Sequence, residues 1–471
     1  MKTEPKTATL PAYDVVVIGA GPAGMACATE ASRAGLSTLV LDEQPRPGGQ
    51  IYRDIEASDS GRRGILGKDY EAGAHLASGL RASTAEYLPG AVVWNIDSEK
   101  QIDFSAGGGS RSVKAATIVV ATGAIERPTP MPGWTLPGVT TVGAVQILLK
   151  TSGVVMEDLV MVGSGPLLWL AATQLIAART PPKAIVETVP AARYREAAKH
   201  LGKALPGWRY LAKGFAMMRE VKRAGVPVHR DAEEIVIEGE TAASAVSFVS
   251  GGKRQRIETA HVALHQGVVP NQQITRLMNC RHRFDKSQRA FLPVLDEHFE
   301  TSVDNVFVAG DGAGIGGAKS AAMRGRLVAM RVAEKAGRPV SGERETLKAA
   351  LRKDAAVRPL LETLYAPSED TLSPADSTLV CRCEEITAGQ IREAVALGAP
   401  GPNQVKSFLR AGMGPCQGRM CGLAVSEIIA AAKGEEPSSV DYYRIRPPLK
   451  PLLLSELADF GAEEAPRQAA E

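Results

Sequence analysis

The feature that most constrains this chain is its first structured stretch, "YDVVVIGAGPAGMACATEASRAGLSTLVLDEQ", residues 13–44. The β-branched run Val15 to Ile18 reads as a buried strand. A Gly-rich turn follows, then an Ala-rich helical stretch to Gly35, then a second strand from Thr38 to Leu41. That order is a βαβ unit, and it predicts an α/β fold with a parallel sheet.

The turn carries the dinucleotide spacing Gly19-Ala-Gly21-Pro22-Ala23-Gly24. Gly19 permits the tight turn, Gly21 lets the backbone approach a pyrophosphate, and Gly24 lets helix and strand pack closely. The helix N-terminus then presents its positive dipole end to the phosphates. An acid is expected after the second strand to bind a ribose hydroxyl, and Asp42 stands there with Glu43 beside it. FAD is favoured over NAD. "PGGQIYR", Pro47 to Arg53, follows the acid at once, and Gly49 and Gln50 would let the backbone approach a long ligand. An Ala121-Thr122-Gly123 turn and "AGDGAG", with Gly310 and Asp311 at a strand end, come later. Together these residues resemble the two-dinucleotide-fold flavoproteins that include thioredoxin reductase and nitrite reductase. In that family the late "GD" aspartate bonds the ribityl chain, which assigns Asp311 that role by resemblance. A helix N-cap is its plainer reading.

A second βαβ unit runs from Asp158 to Glu187 around Gly163-Ser-Gly165-Pro-Leu-Leu168. Leu168 replaces the third glycine, which weakens the pyrophosphate reading, although Glu187 ends the next strand where it could take a ribose. The resembled family binds NAD(P)H in this domain, and here that binding is left open. The expected domains are residues 12–150 with 266–335 for FAD or another adenine nucleotide, and an inserted NAD(P)-binding-like unit over 151–265. Beyond them come a connector over 336–377, a cysteine domain over 378–434, and an apolar, Pro-rich tail over 435–471 that packs on the core or a partner.

The chain holds 471 residues, enough for two or three domains. Its formal net charge of +3 gives no nucleic-acid footprint. It has no apolar run of membrane-spanning length and no leader-like N-terminus, so a cytoplasmic protein is expected, with peripheral contact to the inner membrane through its acceptor left open. The seven histidines are scattered, and His265 and His282 read as surface or packing residues. No acid/base constellation for a substrate emerges. Cys27 and Cys280 are isolated, and no CxxC lies between the nucleotide motifs, so dithiol reductase chemistry is not expected.

Four of the six cysteines gather late, as Cys381-x-Cys383 and Cys416-x4-Cys421. Four thiolates can hold a [2Fe–2S] cluster or a zinc ion; CxC is tight for one tetrahedral ion, whereas two pairs can serve two irons. Thr387 and Gln390 form a capping-box pattern for one helix, Asn403 is expected to cap a second ending at Gly412, and a third is expected to begin at Cys416. The segment resembles the bacterioferritin-associated-ferredoxin type of [2Fe–2S] domain.

Taken in order, "GAGPAGMA", "LDEQPRPGGQIYR", "VGSGPLLWL", "AGDGAGIGGAKSAA", "CRCEEITAGQI", "GPNQVKSFLRAGMGPCQGRMCG" and "YYRIRPPLKP" resemble the A (or α) subunits of heteromeric flavin-dependent amino-acid and opine dehydrogenases. That family includes the opine oxidase A subunits, D-hydroxyproline dehydrogenase and the hydrogen cyanide synthase B subunit. The resemblance implies one component of a heteromeric oxidoreductase acting on CH–NH donors. Its partner is an FAD-containing, glycine-oxidase-like subunit that oxidises the C–N bond of an opine, D-amino acid or hydroxyproline-type substrate, with a further small subunit in some complexes. Electrons would leave through flavin and [2Fe–2S] to a quinone or cytochrome. Some relatives place FMN at a subunit interface, leaving only an adenine nucleotide in the first site. Two other readings stay open: a self-sufficient NAD(P)H-dependent flavoprotein reductase, and a zinc-bound structural or iron-handling module.

Overall fold

The computed structural model describes residues 10–458 and 460. Along the chain lie β1 (Ala12–Ile18), α1 (Pro22–Arg33), β2 (Thr38–Asp42), β3 (Glu86–Pro89), β4 (Val92–Ile96), β5 (Gln101–Ala106), β6 (Gly109–Val120) and β7 (Ala124–Glu126). They are followed by β8 (Val139–Thr141), α2 (Val142–Ser152), β9 (Val160–Ser164), α3 (Pro166–Ala177), β10 (Ala184–Glu187), α4 (Trp208–Arg223), β11 (Val228–His229), β12 (Val262–Gln266), β13 (Val268–Pro270), β14 (Val306–Val308) and α5 (Ala318–Lys335).

The first sheet has the order β3-β2-β1-β6-β5-β4, with β14 also paired to β6. Its β1, β2, β3, β6 and β14 pairings are parallel, and β4, β5 and β6 form an antiparallel meander. Val15, Val16 and Val17 are completely buried because helices or loops cover both faces, which is why this strand is apolar rather than alternating. α5 packs along α1 and carries the Gly310–Asp311 turn, more than 280 residues away in sequence, onto the first glycine turn.

The second sheet is entirely parallel, in the order β11-β10-β9-β12-β8. Its edge strand β8 corrects the expected boundary at residue 150: Val139 pairs with Val262 and Thr141 with Leu264, so residues 139–152 (β8 and α2) stand with the second sheet. A three-residue edge strand has too little apolar periodicity to show itself in sequence. Two short antiparallel strands, β7 and β13, link the two sheets. The connector is helical and packs through Val357 and Leu360 against Ala197 and Ala204 of the second unit.

The cysteine domain has a two-stranded ladder, Leu379–Cys381 with Ile386–Thr387, and helices α6 (Ala388–Ala396), α7 (Pro402–Leu409) and α8 (Gly422–Lys433). The capping box of Thr387 and Gln390 forms as its spacing predicts. Two expectations need correction. Gly401, not Asn403, caps α7, which ends at Leu409 with Arg410 left-handed; Pro402 takes the first helical position. Asn403 instead receives the backbone N–H of Arg444 and donates to the Tyr442 carbonyl, so it holds the tail. The third helix begins after Cys421, because turns occupy residues 416–420.

The described part of the tail lies on this chain. Tyr442, Tyr443, Ile445 and Leu449 are buried, and the Leu449 N–H bonds the Trp94 carbonyl at 2.9 Å. Residue 459 and residues 461–471 of the expected tail lie outside the described residues.

Candidate functional site

The first glycine turn is tied together by backbone. Gly19 N–H bonds the Leu41 carbonyl at 2.8 Å, and Ala121 N–H bonds the Ile18 carbonyl at 2.9 Å. A Cβ on Gly24 would lie 1.8 Å from the Gly19 carbonyl oxygen, so only glycine lets α1 start there. Gly49 has φ +60°, and a Cβ on it would come within 2.8 Å of the Gly21 Cα. The two glycine turns therefore touch, with Pro22 and Ala23 lining the cavity beside them.

Asp42 is buried, and its carboxylate accepts the N–H groups of Ala20 and Gln44, both at 3.0 Å. Burial raises its pKa, while those N–H groups and Arg53 pull it down. Asp42 shapes the turn, and each oxygen keeps a lone pair for a hydroxyl. Glu43 pairs with Lys450, so the tail clasps this end of the cradle. Asp311 accepts from Gly316 and Gly317, both at 2.9 Å, through Oδ1 alone. The N-cap of α5 is Gly317, so Asp311 is not that cap.

Gly19, Gly21, Gly49, Asp42, Glu43 and Asp311, with Gln50, Thr122, Gly123 and Gly310, line one cavity of about 1630 Å³. That exceeds the roughly 300–1,000 Å³ of a small-molecule pocket and suits an extended ligand. Glycine-lined walls, an acid at the ribose position and this volume fit FAD or an adenine nucleotide.

Two groups in the cavity escape a sequence scan. Lys150 of α2 is 2 % exposed, and its Nζ donates to the Gln50 carbonyl at 3.0 Å and to Gln146 Oε1 at 2.7 Å. Burial, helped by Arg53, pushes its pKa down to about 7. His265 is buried, with Nδ1 2.5 Å from Glu126 Oε1, while Glu126 Oε2 accepts the Gly143 N–H at 2.8 Å. His265 packs, as its isolation suggests, but as half of a hydrogen-bonded pair at the link between the sheets. The pair is 139 residues apart in sequence, so no spacing reveals it. His282 is half-buried and contacts Thr275 and the Cys280 carbonyl.

At the second glycine motif, a Cβ on Gly165 would lie 3.1 Å from His265 Nε2, so the imidazole lies against the second glycine of that turn. Leu168 is fully buried in the core between α2 and α4. Glu187 has no exposed side-chain surface; it accepts from Tyr194 at 3.2 Å, lies 3.7 Å from Arg230, and burial raises its pKa.

The four late cysteines come together. Cys421 Sγ lies within hydrogen-bonding reach of Cys381 and Cys416, and Cys416 within reach of Cys383. Contact with Cys421, then backbone N–H groups such as those of Gly412, Met420 and Gly418, lower Cys381 to about 6 and Cys416 to about 5. The neighbouring sulfurs and burial raise Cys421, and burial raises Cys383. A row of four sulfurs backed by N–H donors fits a binuclear cluster, which takes its thiolates in pairs, better than one tetrahedral ion. Cys27 and Cys280 are buried and apart from this group, and burial raises both thiols. Arg419, between Cys416 and Cys421, lines the same large cavity as the first glycine turn.

Comparison with known proteins agrees. The pyridine nucleotide-disulphide oxidoreductase family matches residues 13–337, and the BFD-like [2Fe-2S] binding domain matches 379–431. The opine oxidase A subunit of Rhizobium meliloti is 42% identical over 455 residues, 95% of this chain and 99% of that one. Hydrogen cyanide synthase subunit HcnB of Pseudomonas aeruginosa is 30% identical, over 95% of this chain and 99% of that one. The crystal structure of L-proline dehydrogenase from P. horikoshii superposes with a TM-score of 0.69 at 18% identity, covering 95% of this chain and 79% of that one. FAD and a [2Fe–2S] cluster are thus its cofactors. The chain belongs to the pyridine nucleotide-disulphide oxidoreductase family, among the opine oxidase A subunits, and is a flavoprotein oxidoreductase with a C-terminal [2Fe–2S] domain.

Proposed function

We propose that this chain is the electron-relay subunit of a heteromeric dehydrogenase. Its partner oxidises the C–N bond of an opine, D-amino acid or hydroxyproline-type substrate. The observation that carries the reading is Arg419: a residue inside the Cys416–Cys421 loop lines the cavity that the first glycine turn and Asp311 also line. The cluster loop and the flavin cradle thus face one space. When bound, FAD takes electrons in pairs and the cluster passes them singly, so the combination converts one mode into the other.

The residues of this chain then have distinct tasks. Gly19, Gly21, Gly24 and Gly49 let the backbone close on the nucleotide, and α1 presents its N-terminus to the phosphates. Asp42 and Glu43 offer acceptors to the ribose, and Asp311, with Oδ2 unused by its own turn, offers one to the ribityl chain. Lys150 holds the Gln50 carbonyl in place. Cys381, Cys383, Cys416 and Cys421 hold the cluster. Glu187 is already enclosed, and His265 lies against Gly165, which weighs against NAD(P)H as the reductant.

The deciding experiment is anaerobic reduction followed by absorbance. The isolated holo-chain should stay oxidised with an opine, D-amino acid or hydroxyproline and with NADH or NADPH. Adding substrate together with the co-purified partner subunit should bleach flavin and cluster together. Rapid bleaching of the lone chain by NAD(P)H would assign it instead as a self-sufficient reductase.

A further inference from the structure

Between β10 and β11 a parallel unit needs only one crossover helix. Here the crossover spans residues 191–223, with two short helices, Ala191–Ala198 and Leu201–Ala204, ahead of α4. This stretch holds nine Lys and Arg against two Glu. Its net of +7 exceeds the +3 of the whole chain, so the remaining residues are net acidic.

Two of the nine cations are used internally: Arg193 grips the Ala366 and Pro367 carbonyls, and Lys213 pairs with Asp69 at 2.6 Å. The other seven, from Arg195 to Arg223, pair with no carboxylate among the described residues, although ion pairs are plentiful elsewhere on the surface.

The same stretch exposes large apolar side chains: Leu201 at 49%, Leu205 at 65%, Trp208 at 57% and Phe215 at 69%. On α4 they follow a helical stripe, Trp208, Ala212, Phe215, Arg219, Lys222, all exposed. The opposite face of α4 is spoken for, because Val221 is buried and Met217 lines the cavity. The exposed stripe is therefore not a core face left open by chance. Apolar residues fill its first half and cations its second and its flanks.

We propose that residues 191–223 lie on an anionic phospholipid surface, with Trp208 and Phe215 in the headgroup–acyl boundary and the unpaired lysines and arginines on the headgroup phosphates. An aromatic and leucine stripe bordered by basic side chains is the pattern of a helix lying in a membrane interface. The charge selects the occupant: seven cations that pair with no carboxylate among the described residues match a negative lipid surface. No helix among the described residues is long and apolar enough to cross a membrane, so contact is in the surface plane. This inference does not depend on the identity of the substrate or the acceptor.

Trp208 is a built-in reporter, because Trp94, Trp134 and Trp169 are each 7% exposed or less. The test uses the full holo-chain with vesicles of phosphatidylcholine, with and without phosphatidylglycerol, followed by Trp emission and co-sedimentation. Vesicles containing phosphatidylglycerol should shift Trp emission to shorter wavelength and pull the protein down, and raising the salt should reverse both. Trp208→Phe should abolish the emission shift while leaving co-sedimentation measurable. Arg219→Glu and Lys222→Glu should each weaken binding by at least roughly fivefold. Phe215→Ser should weaken it about tenfold or more. The salt titration of the unmodified chain needs no variant to fold. The proposal is overturned if neither vesicle shifts the emission, or if neutral vesicles bind equally well and high salt has no effect. It is also overturned if only the partner subunit shifts Trp208, which would give this face to a protein.

Discussion

At the scale of single residues, function rests on positions where one atom decides the outcome. Gly49 is one. With φ +60° and no room for a Cβ beside Gly21, Gly49→Ala should leave the chain folded but lower flavin retention at least tenfold, read from the flavin-to-protein absorbance ratio after gel filtration. Cys416 is another. Cys416→Ser should abolish the paramagnetic signal of the reduced cluster while sparing flavin, and a signal at full intensity would remove Cys416 from the ligand set. His282 gives a pH dependence. Burial, reinforced by the Arg276 guanidinium, lowers it from 6.5 to about 4. Its Nδ1 faces the Cys280 carbonyl at 2.7 Å, so Nδ1 carries the proton of the neutral ring. The folded-state value is depressed, so the contribution is fully present above pH 6.5 and is lost as pH falls toward 4. His282→Gln should flatten the fall in unfolding free energy across that window by about 1–2 kcal/mol, measured by urea melts at several pH values. The glycines and cysteines were readable in sequence because their chemistry is local. His265, Lys150 and Glu126 were not, since each matters through a partner that the fold supplies from far along the chain.

At the scale of elements, the tail is held by aromatic contacts that sequence does not predict. Arg276 lies over Phe291 at 4.9 Å and over Tyr442 at 4.7 Å, and it pairs with Asp441 at 3.0 Å. Tyr443 fills space left by two glycines: a Cβ on Gly412 or Gly418 would come within 2.8 Å or 2.6 Å of its ring. Its hydroxyl lies 4.0 Å from Cys421 Sγ. Tyr443→Ala should cost about 3–5 kcal/mol by denaturant melt and release the cluster, while Tyr443→Phe should keep the cluster. The capping box at Thr387 was legible because it needs only two residues at fixed spacing. The start of α7 was misread because Asn403 looks like a cap, yet Pro402 and Gly401 settle the position and free Asn403 to hold the tail. The late start of α8 was missed for a related reason: the Gly-rich cysteine loop has helix-like composition after Cys416 but spends its N–H groups on sulfur.

At the scale of the whole molecule, the α/β architecture and the late cysteine domain were legible from motif order alone. The exact seam between the sheets was not, because it depends on the register of β8, a strand too short to announce itself. The tail is the feature that joins the parts. Tyr443 touches the cysteine site, Leu449 bonds the first sheet, and Lys450 pairs with Glu43 at the glycine cradle. Removing residues 441–471 should therefore lower the melting temperature and deplete both cofactors, checked by calorimetry with flavin and iron analysis of the same sample.

The clasp also sets a timetable. A ribosome makes Glu43 and the first glycine turn early, the four cysteines late, and Lys450 later still. Neither cradle has its final wall until residues 442–450 have emerged, so on the proposed roles of these sites flavin and cluster can be enclosed only after synthesis has passed both. A stalled or nicked chain lacking that stretch would have all its cofactor ligands and hold neither cofactor securely.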